Sequence, residues 1–214
     1  MRLFLSSAPL GDRSDALLAV LRGGRRTAFI ANAADYKSPD DRQRSVRRDL
    51  DDFARRGLEP LEVDLREHFG DAAGLRERLA SVDLIWARGG NAFILRRAFR
   101  ASGADTVVHR LLSDDAVAYG GYSAGVSILC PSLHGVELVD DPALVPAGYE
   151  GEIVWDGLGV LPYKVVPHYR SSHPESADVE RVVEYLTQHH TPFVALRDGT
   201  AIVRDGARER VVAV

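Results

Sequence analysis

The sequence predicts an α/β fold, a three-layer sandwich whose mainly parallel sheet ends in a C-terminal antiparallel ribbon. Over the first 120 residues, short apolar runs alternate with longer amphipathic runs, and this alternation is typical of a parallel sheet with helices on both faces. After residue 190, three apolar runs stand close together with Asp-Gly dipeptides between them, which favours antiparallel hairpins. The 214 residues, 45% of them hydrophobic, suffice for a single domain over 1–214.

Five apolar runs are predicted as the parallel strands, and the amphipathic runs between them as helices. The strands are residues 2–5, 26–31, 58–64, 82–87 and 116–120. The helices are residues 13–22, 40–56, 72–80, 91–101 and 104–113. The helix at 40–56 has the clearest ends, because Asp40 and Asp41 stand at its start and Gly57 follows it.

The last third of the chain predicts a different arrangement. A strand at 163–168 and a helix at 175–189 come first, and three closely spaced strands follow. These strands are residues 192–196, 200–204 and 209–214. The dipeptides Asp198-Gly199 and Asp205-Gly206 favour tight hairpin turns between them. Residues 131–160 carry Pro and Gly with little periodicity, so we expect an irregular excursion over one end of the sheet.

Composition and charge exclude several classes of protein. The net charge of −4 and a pI near 6.0 give no basic field, so we expect neither nucleic acid nor a membrane surface as a partner. The one cysteine, Cys130, excludes an internal disulfide and suits a reducing cytoplasm. No apolar stretch approaches the ~20 residues of a membrane helix, and the N-terminal apolar run is too short for a signal peptide. We expect a cytoplasmic monomer or homodimer without a cofactor.

Three segments that stand at the carboxyl ends of predicted strands are candidates for the functional site. They are "RGGNAF" from residue 88, "GGYSAG" from residue 120 and "PHYRSSH" from residue 167. Sites in open parallel sheets lie beyond the carboxyl ends of the strands. The three segments are therefore expected to meet at one edge of the sheet.

The first candidate residue is Ser123, in a G-x-S-x-G turn between a predicted strand and a helix. A nucleophile on so sharp a bend needs small neighbours, and the helix that begins there offers free N–H groups. Gly90, in "RGGN", could supply a second N–H that converges with that of Ala124 on a developing oxyanion. The alternatives are a plain turn with an N-cap serine, and a plain turn capped by Asn91.

A nucleophilic serine needs a base, and a base needs an orienting acid. Among seven histidines, His168 is favoured because it stands at the end of the strand that begins with the apolar run "YKVV", although His134 stays open. Asp198 is the first choice for the acid, against Asp140, Asp141 and a simple hairpin turn at Asp198-Gly199. His168 and His173 find no third metal ligand with convincing spacing, so no metal is expected.

Four segments in this order resemble a known family. They are "RGGNAFIL", "YGGYSAGVSILCPS", "VVPHYRSSH" and "FVALRDGTAIV", and they are similar to peptidase E, the aspartyl dipeptidases of the S51 serine peptidases, which are related to cyanophycinase. The resemblance covers most of the chain. It implies a class I glutamine amidotransferase-like sandwich. It also implies Ser123 as nucleophile, His168 as base, Gly90 and Ala124 as oxyanion donors, and Asp198 at the place of the family's triad glutamate.

The sequence departs from the family pattern at several positions. Arg88 stands at the first glycine of a GGGN-type loop, and Val166 replaces the asparagine before the Pro-His step. The family's substrate-binding arginine has no clear counterpart. Asp178 falls near its place, and Arg170 or Arg181 could substitute for it.

The resemblance implies a serine exopeptidase that cleaves dipeptides or very short peptides, with aspartate at the N-terminus. The candidate substrate-binding residues are Arg88, Asn91, Asp140, Arg170 and His173. Two alternatives remain. One is a non-catalytic relative that binds a small amino-acid-like ligand, and the other is an amidase or β-aspartyl peptidase of the cyanophycinase type.

Overall fold

A computed structural model describes residues 1–11 and 14–214 of the chain. Its strands are β1 (Arg2–Ser6), β2 (Arg26–Ile30), β3 (Glu59–Glu62), β4 (Leu84–Ala87), β5 (Ala118–Tyr122), β6 (Lys164–Val166), β7 (Phe193–Ala195), β8 (Thr200–Asp205) and β9 (Arg208–Ala213). A seven-stranded sheet has the order β3-β2-β4-β5-β1-β8-β9. Its first five strands pair in parallel, and β8 and β9 are antiparallel. The mainly parallel sheet with an antiparallel C-terminal ribbon is confirmed.

Helices cover both faces of this sheet. They are α1 (Asp15–Leu21), α2 (Pro39–Arg55), α3 (Ala72–Ala80), α4 (Ala92–Ser102), α5 (Ala104–Ser113) and α6 (Ala124–Ser127). A further helix, α7 (Ser176–Gln188), packs against β6 and β7. Because side chains alternate across a strand, Leu3 and Leu5 of β1 pack in one core with α3 to α6, while Phe4 packs in another with α1 and α2. This is the predicted three-layer sandwich. The first residue of the predicted helix at 13–22, Arg13, lies outside the described residues.

The prediction of a C-terminal ribbon that includes residues 192–196 is wrong in one respect. The strand β7 pairs in parallel with β6, in a separate two-stranded sheet. The helix α7 connects these two strands, and a helical crossover gives a parallel pair. Asp198-Gly199 is therefore a turn between two sheets and not a hairpin, whereas Asp205-Gly206 joins β8 to β9 as predicted.

Residues 131–160 form the expected irregular excursion. They contain a 3₁₀ turn at Val136–Leu138 and an isolated bridge between Ser132 and Asp156. Two buried arginines of α4 hold the excursion: Arg96 Nε donates to the carbonyl of Asp156 at 2.6 Å, and Arg97 Nη2 donates to that of Pro142 at 2.8 Å. In the described part of the chain, no helix has the length and apolar character needed to cross a bilayer.

The turn between β5 and α6 sterically requires glycine at two positions. A β carbon on Gly121 would lie 2.7 Å from the carbonyl oxygen of Ala87, at the end of β4, and a β carbon on Gly125 would overlap the same oxygen. The two glycines thus let α6 begin directly against the neighbouring strand. This close approach holds Ser123 at the carboxyl edge of the sheet.

Replacing Gly125 with alanine should lower the free energy of unfolding by about 1–3 kcal/mol, because the added methyl group meets a backbone oxygen that cannot rotate away. Urea denaturation measures the change. The matched control is Gly151→Ala, where a β carbon has open space, and a change within ~0.5 kcal/mol is expected there. Equal stability of the two variants would contradict the tight packing of this turn.

Candidate active site

Residues that follow β4, β5 and β6 line one cavity of about 370 Å³. Its lining includes Gly89, Gly90, Tyr122, Ser123, His168 and His173. The structure therefore brings together the three segments that the sequence placed at strand ends. Part of the excursion, Val139 to Asp141 and Leu144, forms another wall of the same cavity.

Ser123 adopts a conformation that is unusual for a residue with a side chain. Its φ of 50° and ψ of −115° cost on the order of 1–3 kcal/mol. Its hydroxyl makes no capping hydrogen bond to α6, so the alternative of a plain N-cap serine does not hold. A β carbon on Gly89 would lie 3.1 Å from Ser123 Cβ, which shows how closely the two loops approach. The bend leaves the hydroxyl at the cavity.

The imidazole of His168 is oriented by Asp198. The distance from His168 Nδ1 to Asp198 Oδ1 is 2.8 Å, and His168 is 4% exposed. A proton on Nδ1, donated to the carboxylate, leaves Nε2 with a free lone pair. The parallel pairing of β6 with β7 makes this contact possible, because the two strands end side by side and His168 and Asp198 follow them.

Ser7 is a third member of this group that the sequence reasoning missed. It is fully buried, its Oγ donates to Asp198 Oδ1 at 2.7 Å, and it accepts from the backbone N–H of His168 at 2.8 Å. Ser171 Oγ accepts from the backbone N–H of Asp198 at 2.8 Å. Ser7 follows β1, the strand beside β5, so its place at a strand end was the available signal.

Burial lowers the pKa of His168 below its ordinary 6.5, while the charge and hydrogen bond of Asp198 act in the opposite direction. The imidazole is thus neutral over a wider range of pH, as a base must be. Within the described part of the chain, no hydrogen bond joins His168 to the Ser123 hydroxyl, although both line the same cavity. Such bonds are often long before substrate binds.

An NMR titration of the His168 ring should give a midpoint below pH 6.5, because burial penalises the imidazolium. In Asp198→Asn the midpoint should fall further, since the carboxylate that favours the cation is gone. Because the unfolded chain takes up this proton at higher pH than the folded chain, acidification through that range favours unfolding. A midpoint above 6.5 would contradict the dominance of burial.

The backbone N–H groups of Gly90 and Ala124 are free donors beside Ser123. Neither donates a hydrogen bond to any residue that the structure describes. Ala124 opens α6, where N–H groups have no partner within the helix. Gly90 has a φ of 144° and packs so closely on Ala33 that a β carbon would overlap the Ala33 carbonyl. Both donors therefore suit a developing oxyanion.

Two of the predicted substrate-binding residues already have structural partners. Arg88 is buried, donates to Ser45 Oγ at 3.0 Å and lies 3.4 Å from Asp49 Oδ2. Asn91 caps α4 by accepting from the Ile94 N–H at 3.0 Å. Both line the cavity. Both polar atoms of Asn91 are used within the fold, because its Nδ2 also donates to the Asp141 carbonyl at 2.9 Å. The buried Nε of Arg88, by contrast, has no hydrogen-bond partner among the described residues.

Arg170 and His173 have different positions. Arg170 is exposed, donates to Glu180 at 3.1 Å, lies over the Tyr169 ring and is not among the residues that line the cavity. His173 lines the cavity and stacks on His168, with ring centroids 3.8 Å apart. Of the two, the structure brings only His173 to the site.

Asp140 and Glu175 bring two carboxylates to the cavity. Burial raises the pKa of Asp140 to about 7, while a hydrogen bond from the Ala92 N–H at 2.8 Å opposes that shift. Glu175 precedes α7 and was not singled out from the sequence. Its position two residues after His173 was the available signal.

Glu175 is also a possible third metal ligand beside His168 and His173, which the sequence spacing did not indicate. His168, His173 and Glu175 each offer one ligand atom, and these atoms lie within 4.8 Å of one another. Two imidazoles and a carboxylate are a donor set that zinc accepts. The two rings are stacked at an interplanar angle of 15°, however, so one ion cannot lie in both ring planes as observed.

Comparison with known proteins agrees with the motifs. The model of peptidase family S51 matches residues 4–212. Peptidase E of Streptomyces coelicolor is 28% identical over 202 residues, which are 91% of this chain and 74% of the relative. A "Probable alpha-aspartyl dipeptidase" of Drosophila melanogaster is 27% identical over 137 residues, 62% of this chain and 54% of the relative.

A solved structure gives the same fold. The crystal structure of a Listeria monocytogenes EGD-e protein assigned as a peptidase E aligns with a TM-score of 0.76 at 20% identity, covering 100% of this chain and 98% of the other. This fold comparison confirms the α/β architecture expected from the sequence. The family model and the curated relatives confirm the resemblance expected from the four motifs.

Proposed function

The chain belongs to peptidase family S51, and from that premise we propose that it hydrolyses dipeptides or very short peptides with a Ser123–His168–Asp198 triad. The single observation that carries the proposal is the 2.8 Å contact of His168 Nδ1 with Asp198 in a cavity that Ser123 also lines. A buried imidazole held by a carboxylate is what a serine needs as its base.

The reaction begins when Ser123 Oγ attacks the acyl carbon and His168 Nε2 takes the hydroxyl proton. The carbonyl oxygen becomes an oxyanion that accepts hydrogen bonds from the N–H groups of Gly90 and Ala124. Losing one such donor typically costs ~2.7–4 kcal/mol of transition-state stabilisation. The imidazolium then gives its proton to the departing amine as the C–N bond breaks, which leaves an ester on Ser123.

Water completes the cycle. His168, neutral again, takes a proton from water as its oxygen attacks the ester, and the imidazolium then returns a proton to Ser123 Oγ. Asp198 keeps a proton on His168 Nδ1 throughout and stabilises the imidazolium in each half-reaction. Ser7 holds both the Asp198 carboxylate and the His168 backbone, so it acts as a positioning residue.

The size of the cavity supports a short substrate. About 370 Å³ lies at the lower end of the range for small-ligand sites. The excursion, anchored on α4, walls the cavity through Val139, Asp140 and Leu144. A long peptide would have to displace it.

Incubation with free dipeptides and with a tetrapeptide of matched N-terminal sequence tests the proposal. We expect free amino acids from the dipeptides and much slower release from the tetrapeptide. Binding without turnover would support the non-catalytic alternative. Turnover confined to β-aspartyl dipeptides would support the cyanophycinase-type alternative. Either result would overturn the proposed activity.

A further inference from the structure

Beside Ser123 the cavity continues into a small inner pocket of about 40 Å³. Its apolar wall comes from β6, α7 and the excursion: Val136, Val139, Val165, Val166, Val179 and Val182. The volume has room for about three water-sized groups. The inner pocket therefore suits a short side chain.

The charged groups of the inner pocket, apart from His168, are both acids. Asp140 and Glu175 line it, and among the residues that the structure describes its lining includes no lysine or arginine. In the described part of the chain Asp140 has no ion pair, and Glu175 has one only with His173, at 3.6 Å. At a pH above the raised pKa of Asp140, the inner pocket thus combines an apolar wall with two carboxylates.

The nearby cations that the structure describes face elsewhere. Arg170 pairs with Glu180, and Arg181 pairs with Asp178 at 3.2 Å on the exposed side of α7. Arg88 points to Asp49 at the outer cavity. Lys37 lines the outer cavity but not the inner pocket. Among the described residues, a substrate carboxylate in the inner pocket would have no lysine or arginine as a partner.

The N-terminal residue of a dipeptide has its ammonium and its side chain on the carbon next to the scissile carbonyl. When that carbonyl lies at Ser123, both groups must lie within a few bond lengths of the inner pocket. A carboxylate pair attracts the ammonium, and the valines accept an uncharged side chain. An aspartate side chain would meet two like charges.

We propose, on the premise of the function above, that the substrates carry a free N-terminal ammonium held by Asp140 and Glu175 and a short uncharged N-terminal side chain in the valine-lined inner pocket. An N-terminal aspartate is then rejected. The family resemblance implies the opposite, a preference for N-terminal aspartate. The residues that reverse this preference lie in α7 and in the segment before it.

The test compares Ala-Leu, Asn-Leu and Asp-Leu at pH 8. Asparagine and aspartate have the same shape, so their ratio isolates charge. We expect kcat/KM for Asp-Leu to be at least about 100-fold below that for Asn-Leu, because like charges meet in a poorly solvated pocket. Glu175→Gln should raise the Asp-Leu to Asn-Leu ratio about tenfold. The control Glu180→Gln, on the exposed side of α7, should leave the ratio unchanged.

Binding of the same dipeptides to Ser123→Ala by calorimetry separates this inference from the proposed chemistry. If the wild type hydrolyses none of these dipeptides, the proposed hydrolysis is wrong. The order of their affinities for Ser123→Ala still tests the proposed specificity. Tighter binding of Ala-Leu than of Asp-Leu or N-acetyl-Ala-Leu supports the inference. Preference for Asp-Leu, equal binding of the acetylated peptide, or no binding at all would overturn it.

Discussion

Ser123→Ala should reduce kcat for dipeptide hydrolysis by roughly 10⁴- to 10⁶-fold, the range seen when a serine peptidase loses its nucleophile. Alanine keeps the β carbon and removes only the oxygen that forms the acyl-enzyme. The fold should persist, because the Ser123 hydroxyl does not cap α6. Steady-state kinetics and a circular dichroism spectrum measure the two quantities.

Ser113→Ala is the matched control for this loss. Ser113 is exposed at the end of α5, and its hydroxyl bonds only to its own helix. The kcat of Ser113→Ala should equal that of the wild type. Retention of more than about one hundredth of the activity in Ser123→Ala would assign the nucleophile to another group.

Asp198→Asn should reduce kcat by about 10⁴-fold, as expected when the orienting carboxylate of a triad becomes an amide. The amide keeps the shape of the side chain but can donate to His168 Nδ1, which places the imidazole proton on Nε2 and removes the base. Because the change acts on the chemical step, KM should move little.

Asp178→Asn is the control for this second loss, since Asp178 is half-buried, pairs with Arg181 and does not line the cavity. The free energy of unfolding of both variants, from urea denaturation, shows whether the loss in Asp198→Asn is one of folding. Activity within tenfold of the wild type in a folded Asp198→Asn would contradict the role of Asp198 and indicate that Asp140 or Asp141 orients His168.

The parallel half of the fold was predictable because its signals are local. The inner strands of that half are short apolar runs, whereas the edge strand β3 carries two glutamates. The glycines around Ser123 mark a close approach that the Ala87 carbonyl explains. His168 and Asp198 could be chosen because each lies just beyond a predicted strand. Their mutual contact is in the structure as the sequence reasoning required.

The misassigned turn has a physical reason. Asp198-Gly199 has the same local turn chemistry as Asp205-Gly206, and only long-range pairing distinguishes them. The pairing of β7 with β6 depends on the path of α7. Local turn residues carry no information about that path.

The substrate-binding residues were the least predictable, because their roles depend on partners that are distant in sequence. Arg88 could not be known to face Asp49 on α2. Arg170 has a φ of 48°, and its side chain lies against Tyr169 and Glu180. Glu175 reaches the site only because the segment before α7 folds back over His168.

Mass spectrometry after treatment with a fluorophosphonate tests the central claim most directly, because the reagent reacts only with an activated hydroxyl. We expect one adduct, on the peptide that contains Ser123, with labelling slowed strongly in His168→Ala and Asp198→Asn. Hydrolysis of dipeptides by a protein that carries no adduct at Ser123, or carries it elsewhere, would contradict the account.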